Sequence, residues 1–435
     1  MARFAVFADN RSGELRAALR QDNLRELLLL LVATAFVLVN STALALIASW
    51  TWRDWGAPTV WLLVIGSAHV ILRRTRPRRD PFILPLIAFL TGWGLILIAR
   101  LAENFLWRQM VWLCLSIAVM LVVALLPGLL RRLQQYRYTW LTLGLLLLLA
   151  TLFFGVNPSG GGAALWLPLL LRSVYFQPSE LLKLLLVVFL ASYFDDRQML
   201  LRLRHSRFDA LAFVAPLLVM WGFCMLLLVW QQDLGAAALF FFVFRSLLYL
   251  ATGRWPYLLA GAFLLLAAGV VGYMAFDLVA LRVNAWLNPW PDVAGSAFQI
   301  VQSLYALGSG GVLGQGVAQG YPGYIPVVHS DFAFAAIAEE WGVLGAFVVI
   351  ACFATLVQRG LRLAGRARRP FQSYLAAGIA TLFAMQSLLI MGGVTRLLPL
   401  TGVTLPYVSY GGSSLLISCT MAGLLLHIST LDSDA

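Results

Sequence analysis

Apolar runs long enough to cross a bilayer recur along nearly the whole chain, and they leave it few folds. The hydrocarbon core takes about 20 apolar residues per helix. Inside it every backbone N–H and C=O must be paired within the protein, so only helices and closed barrels span. Twelve stretches qualify: 26–49, 57–72, 81–100, 109–130, 138–156, 179–194, 210–230, 234–251, 255–276, 332–357, 371–393 and 406–428. Of 435 residues 61% are hydrophobic and 11% charged, against roughly 25% charged in soluble domains. The expected fold is an all-α polytopic membrane protein with about twelve transmembrane helices.

The connections carry the orientation. The formal net charge is +12, but the basic residues form short runs between apolar segments, which reads as topology and not as a nucleic-acid surface. With the N-terminus inside and the spans alternating, 23 of the 31 basic residues fall on the cytoplasmic side. The outer side keeps Arg53, Arg100, Arg108, Arg172, Arg282 and Arg396. The positive-inside rule therefore places both termini in the cytoplasm of a multi-pass plasma-membrane protein. No cleavable signal precedes the first span, which is read as an anchor. Cys114, Cys224, Cys352 and Cys419 lie in apolar runs without metal or disulfide spacing and are expected to be buried small hydrophobes.

The largest connection, 277–331, then faces outward. A loop of this length is functional or disordered. Trp286, Trp290, Phe298, Tyr305, Tyr321 and Tyr324 argue for an ordered segment at the membrane interface, with "FQIVQSLYAL" (298–307) as a short interfacial helix. Its few ionisable groups include Asp277, Arg282, Asp292, His329 and Asp331. Asp331 reads as a helix-start residue with Ser330 as N-cap. Asp292 follows the turn-forming "NPWP" and reads either as a turn aspartate or as a catalytic or ligand-binding one.

Other polar groups lie close to hydrocarbon. Glu180 and Lys183, the only lysine, share one face of the helix in "PSELLK", as an interfacial ion pair or a functional one. Asp233 lies in a tight outer hairpin. Glu339 and Glu340 lie inside a span and must face protein or water. Ser409, Gly411 and Gly412 begin the last span, where small residues suit helix packing or backbone approach to a polar group. The glycines of 308–316 form no P-loop, because no GKS or GKT follows. His69, His205 and His427 lie near inner helix ends and carry no expected chemistry.

Five pieces in order, "FQPSELLKL", "QQDLGAAAL", "NPWPDVAGSAFQIVQSLYALGSGGVLGQG", "HSDFAFAAIAEEWGVLGA" and "LLPLTGVTLPYVSYGGSSLL", span about 176–428. Together they resemble the SEDS family (shape, elongation, division and sporulation), the RodA and FtsW polymerases of cell-wall synthesis. "RQMVWL" (108–113) fits as well. The resemblance implies a ten-span core over 81–428, preceded by a tail and two extra helices in 1–80 and followed by a short tail, 429–435. It implies a peptidoglycan glycosyltransferase that polymerises lipid II at the extracytoplasmic face, with a class B penicillin-binding protein as transpeptidase partner. Asp292 matches the family's catalytic aspartate, and Glu180 and Lys183 match its Glu and Lys. Arg108, Arg172, Arg282, Arg396 and Lys183 are then candidates for meeting the lipid diphosphate. No cofactor is assigned and no metal ligand set is legible; a divalent cation could share that load. Two features depart from the family: Val293 stands where Pro is common after the aspartate, and in "YIPVVHSDF" Val327 takes the position of a Glu. A flippase for the same lipid, with Glu180, Lys183, Glu339 and Glu340 along a pathway, and an O-antigen ligase-like transferase are the alternatives.

Overall fold

The computed structural model describes residues 2–48, 54–157, 164–168, 174–196 and 207–431. Fifteen helices are present among them: α1 (Ala2–Ala48), α2 (Gly56–Thr75), α3 (Ile83–Leu101), α4 (Glu103–Leu125), α5 (Leu129–Gln135), α6 (Arg137–Phe154), α7 (Pro178–Asp196), α8 (Arg207–Trp230), α9 (Leu234–Thr252), α10 (Pro256–Ala275), α11 (Asp277–Leu287), α12 (Phe298–Gly310), α13 (Ala333–Arg366), α14 (Pro370–Val394) and α15 (Gly412–Leu431). One short hairpin pairs β1 (Leu167–Pro168) with β2 (Tyr175–Phe176). The all-α polytopic expectation holds.

Among the described residues ten helices are long and apolar enough to cross a membrane, and they coincide with ten of the twelve expected spans. The other two expected spans, 179–194 and 210–230, correspond to α7 and α8. α7 carries charge at both ends, Glu180 and Lys183 at one and Asp195 and Asp196 at the other. Arg172 and His205 lie outside the described residues.

Burial sorts the helices into a centre and a periphery. Most of α3, α14 and α15 is enclosed by protein, whereas nearly all of α10 is left uncovered by the rest of the chain. Small residues let the central helices approach closely. A Cβ on Gly412 would lie 2.1 Å from the Trp112 indole, so this glycine serves the packing of α15 on α4. Cys224 and Cys419 are buried as expected, but Cys114 is exposed and Cys352 only partly covered. In an all-apolar run the side facing lipid looks the same as the side facing protein.

The two N-terminal helices are fastened by groups the sequence did not flag. Glu26 of α1 is 1% exposed and accepts from Arg79 at 2.7 Å, with His69 Nδ1 of α2 also at 2.7 Å. His69, given no role above, is thus part of a buried ion cluster. Beside it, Asp80 bonds Arg359 Nε of α13 at 2.7 Å. Higher up, Trp341 Nε1 donates to Asn40 Oδ1 of α1 at 3.1 Å.

The 277–331 connection is largely built structure. It holds α11, a 3-10 turn at Trp290–Asp292, α12 and a second 3-10 turn at Pro322–Tyr324. The expected interfacial helix is α12, extended by three residues. Ser330 is not an N-cap: α13 begins after Phe332, and the Ser330 hydroxyl donates instead to Asp331 Oδ1 at 2.8 Å.

Candidate active site

Asp292 ends the 3-10 turn that "NPWP" initiates, and its carboxylate is exposed. Oδ2 accepts from the Ser296 backbone N–H and from its hydroxyl, each at 2.7 Å. The Ser296 hydroxyl, its N–H and the Gly295 N–H together hold the carboxyl below the ordinary aspartate range. The turn leaves no room beside it: a Cβ on Gly295 would fall 2.3 Å from Oδ1. Val293 sits at φ −59, close to the angle a proline ring imposes. The departure from Asp-Pro therefore keeps the turn. Asn284, Ala285, Leu287, Asn288, Pro291, Ser296 and Ala297 join Asp292 around an open concavity of about 330 Å³.

Arg396 determines where this turn starts. Its Nε donates to the Trp286 carbonyl and its Nη2 to the Leu287 carbonyl, both at 2.7 Å, closing the last turn of α11. Trp286 Nε1 returns a bond to the Arg396 carbonyl at 3.2 Å. The guanidinium is thus committed to the loop backbone, and the residue holds left-handed backbone (φ 59) to reach it.

A second group of polar side chains lies within the bundle. Lys183, 2% exposed, donates to Glu180 at 2.5 Å and to Gln386 Oε1 at 2.9 Å. Gln386 passes the chain on to the Thr404 carbonyl at 2.8 Å, and the Thr404 hydroxyl bonds Ser414 at 2.8 Å. Gly411 lies alongside Thr404 and Ser414. Asp233 caps α9 through the Ala236 N–H at 3.0 Å, while its Oδ2 has no hydrogen-bond partner. Burial raises its carboxyl above the ordinary value, with the Ala236 N–H and the Lys183 charge opposing. Arg282 reaches the Thr401 carbonyl at 3.4 Å and feels the charges of Asp331 and Asp233. Burial likewise raises Asp331, against the Ser330 hydroxyl and Arg282.

A third group lines the N-terminal end of α4. Phe105 stacks on Tyr410 at 4.7 Å, and His329 lies 5.2 Å from Phe105. Arg108 sits 5.9 Å over the Phe105 ring, with its charge felt at the Tyr410 hydroxyl. Burial lowers the His329 pKa. Ser409 ties this corner to the loop by donating to the Ser330 carbonyl at 2.5 Å, and the Tyr410 N–H adds a bond to the His329 carbonyl at 2.8 Å. Val327, at the Glu position of the family, is exposed with φ 56.

The structure therefore pairs Glu180 with Lys183, brings Asp331 and Arg282 to the same side of Gly402 without a direct ion pair, and gathers His329 and Arg108 around Phe105. The Asp292 carboxylate forms its hydrogen bonds within its own turn. Glu339 and Glu340 belong to a separate arrangement under the far half of the loop. Sequence reading missed Ser296 and Gln386. Ser296 stands four residues after the aspartate, a spacing that could have suggested it. Gln386 lies in a long apolar run and gives no such signal. Among the described residues no group of three or more His, Cys, Asp or Glu is placed to hold a metal ion. The donor set around Asp292, with a single carboxylate, forms no cage.

These features define a polytopic membrane protein with a structured 277–331 connection, an ionised aspartate at its surface and a buried Glu180–Lys183 pair within the bundle. The family model of the cell cycle proteins FtsW, RodA and SpoVE matches residues 82–434, and the chain belongs to that family. It is 35% identical over 424 residues to the peptidoglycan glycosyltransferase RodA of Mycobacterium tuberculosis H37Rv, covering 92% of this chain and 89% of that one. It is 37% identical over 367 residues to the probable peptidoglycan glycosyltransferase FtsW of Geobacter sulfurreducens, covering 81% and 95%. Among solved structures it resembles a chain of a peptidoglycan synthase complex that coordinates polymerization and crosslinking. That match has TM-score 0.68 and 29% identity, over 82% of this chain and 99% of that one. RodA of Thermus thermophilus matches with TM-score 0.59 and 27% identity, over 81% and 96%.

Proposed function

We propose that Asp292 is the general base with which this chain polymerises lipid II, an undecaprenyl-diphosphate disaccharide-pentapeptide, into β-1,4 glycan at the extracytoplasmic face. The chain is a peptidoglycan glycosyltransferase, as its RodA and FtsW relatives are named. The observation that carries the base assignment is a solvent-facing carboxylate fixed by Ser296 at the edge of a concavity in the outer loop.

In the proposed reaction the acceptor GlcNAc 4-hydroxyl attacks C1 of the donor MurNAc. Its proton passes to Asp292 as the new C–O bond forms. The bond from C1 to the diphosphate oxygen breaks with inversion, and the electron pair leaves on the lipid diphosphate. The lowered pKa keeps Asp292 unprotonated near neutrality but makes it a weak base. Proton transfer then coincides with C–O bond formation, where positioning counts most. The charge growing on the diphosphate is met by cations: Arg108 and Arg282, with Lys183 beneath and Arg172 as a further candidate. Arg396 contributes by holding the turn. A bound divalent cation would add positive charge at the diphosphate.

The basic-residue asymmetry supports cytoplasmic termini and an outward 277–331 connection. A class B penicillin-binding protein is the proposed partner, supported by the likeness to a chain of a polymerizing and crosslinking complex. Purified protein incubated with labelled lipid II, with and without the transpeptidase, tests the reading. Glycan chains are expected. Translocation of lipid II across liposomes without chains would point to a flippase instead.

A further inference from the structure

The half of the outer loop that follows α12 is built into a transmembrane helix. α13 is broken at Gly342, whose φ is 68. In a regular helix the Val343 and Leu344 N–H groups would donate to the carbonyls of residues 339 and 340. Here they donate to Gly311 and Val312 of the loop, at 3.0 and 3.3 Å. The released Glu339 and Glu340 carbonyls accept instead from Gln315 and Gly316, at 2.9 and 3.0 Å. The loop segment 311–316 thus completes a hydrogen-bond ladder that hydrocarbon could not. Contact this close excludes side chains: a Cβ on Gly314 would lie 2.2 Å from the Glu340 carbonyl oxygen. The glycines of 308–316, which form no P-loop, include this backbone-packing position.

Side chains extend the junction. Arg100, at the end of α3, donates to the carbonyls of Gly320 at 3.2 Å and Ala318 at 3.5 Å. Its Nε lies 3.5 Å from Oε1 of the fully buried Glu340. Glu339 Oε1 accepts from the Tyr321 N–H at 2.8 Å. The next residue, Trp341, is braced by Asn40 of α1 and by the Trp93 ring at 5.3 Å.

We propose that Arg100, Glu339 and Glu340 are positioning residues for glycosyl transfer. They latch 311–321 into the α13 break, and α12 transmits that anchorage to the Asp292 turn. α12 is a 13-residue helix packed on α13, and the turn joins its start through the Ala297 N–H bond to the Asp292 carbonyl at 3.3 Å. This rests on Asp292 being the base. The first of the two N-terminal helices gains a role in it, since α1 buttresses the break through Asn40.

The test compares full-length Arg100→Ala, Glu339→Ala and Glu339→Gln with the parent protein. Two quantities are measured: amide hydrogen exchange over 311–324, which reports local opening, and lipid II polymerisation. Both alanine variants are expected to exchange at least about tenfold faster at residues 315, 316 and 321. Their kcat should fall by about 10- to 100-fold, with KM changed by less than about twofold. Glu339→Gln keeps an acceptor for the Tyr321 N–H and is expected to restore both. Unchanged exchange, faster exchange with kcat intact, or a kcat loss that glutamine does not relieve would each overturn the proposal. Exchange reads the latch without chemistry, so failure of the base assignment would appear separately, as an active Asp292→Asn enzyme.

Discussion

Replacing Asp292 by Asn is expected to lower kcat for lipid II polymerisation by about 10²- to 10⁴-fold while leaving the protein folded and KM nearly unchanged. The side chain is exposed, and Asn keeps an oxygen that can accept from the Ser296 N–H and hydroxyl. Exposed substitutions of this kind change stability little. The turn, its concavity and the closing bonds from Arg396 persist. Only the capacity to take a proton is lost, and that is used as the acceptor hydroxyl attacks. Loss of an interaction made only in the transition state appears in kcat. Assaying purified variant and parent on labelled lipid II, with binding measured in parallel, checks both halves.

Removing Lys183 is the second large effect, and it should fall first on stability. Lys183 is 2% exposed and Glu180 is 12% exposed at the side chain. Lys183→Ala leaves Glu180 without its cation and the Gln386 oxygen without its donor. Breaking a buried pair on one side costs about 3–5 kcal/mol. Replacing both members by neutral groups of similar shape is often close to neutral, so Glu180→Gln with Lys183→Met should recover most of the stability. If Lys183 also meets the diphosphate, this double variant stays folded and still polymerises poorly. Detergent-resistant thermal unfolding and single-turnover polymerisation, measured on the same preparations, separate the two roles.

Much of the architecture could be read directly because membrane folds write their elements as apolar runs. The spans, the short helix read at 298–307 and the polar hairpin at Asp233 follow from hydropathy and turn chemistry. The ends were less legible. Hydropathy set a span at 109–130, whereas α4 covers Glu103–Leu125 and includes Arg108. The aspartate was visible, and its turn reading is what the structure displays: Asp292 makes bonds within the turn that also keep its carboxylate ionised, and its work as base is the proposal. Contacts between distant elements were not legible. Nothing local in "NLRELLLL" pairs Glu26 with Arg79, and nothing in "AEEWG" says that a loop completes the helix ladder there. Arg396 looked like a free outer cation, yet its guanidinium closes α11, because a carbonyl partner 110 residues away leaves no trace in the neighbouring sequence.

The most direct test of the account is the acidic limb of kcat/KM against pH for the parent enzyme and for Ser296→Ala. That limb reports the essential base of the free enzyme. The Ser296 hydroxyl is the leading cause that holds Asp292 below its ordinary value. A depressed pKa leaves the carboxylate ionised as pH falls, so the parent should keep its activity until below the ordinary aspartate range. Without the hydroxyl bond the pKa rises, and protonation then removes activity at a higher pH. The acidic limb is expected at higher pH in Ser296→Ala; superimposed limbs would rule out Asp292 as the base that the limb reports.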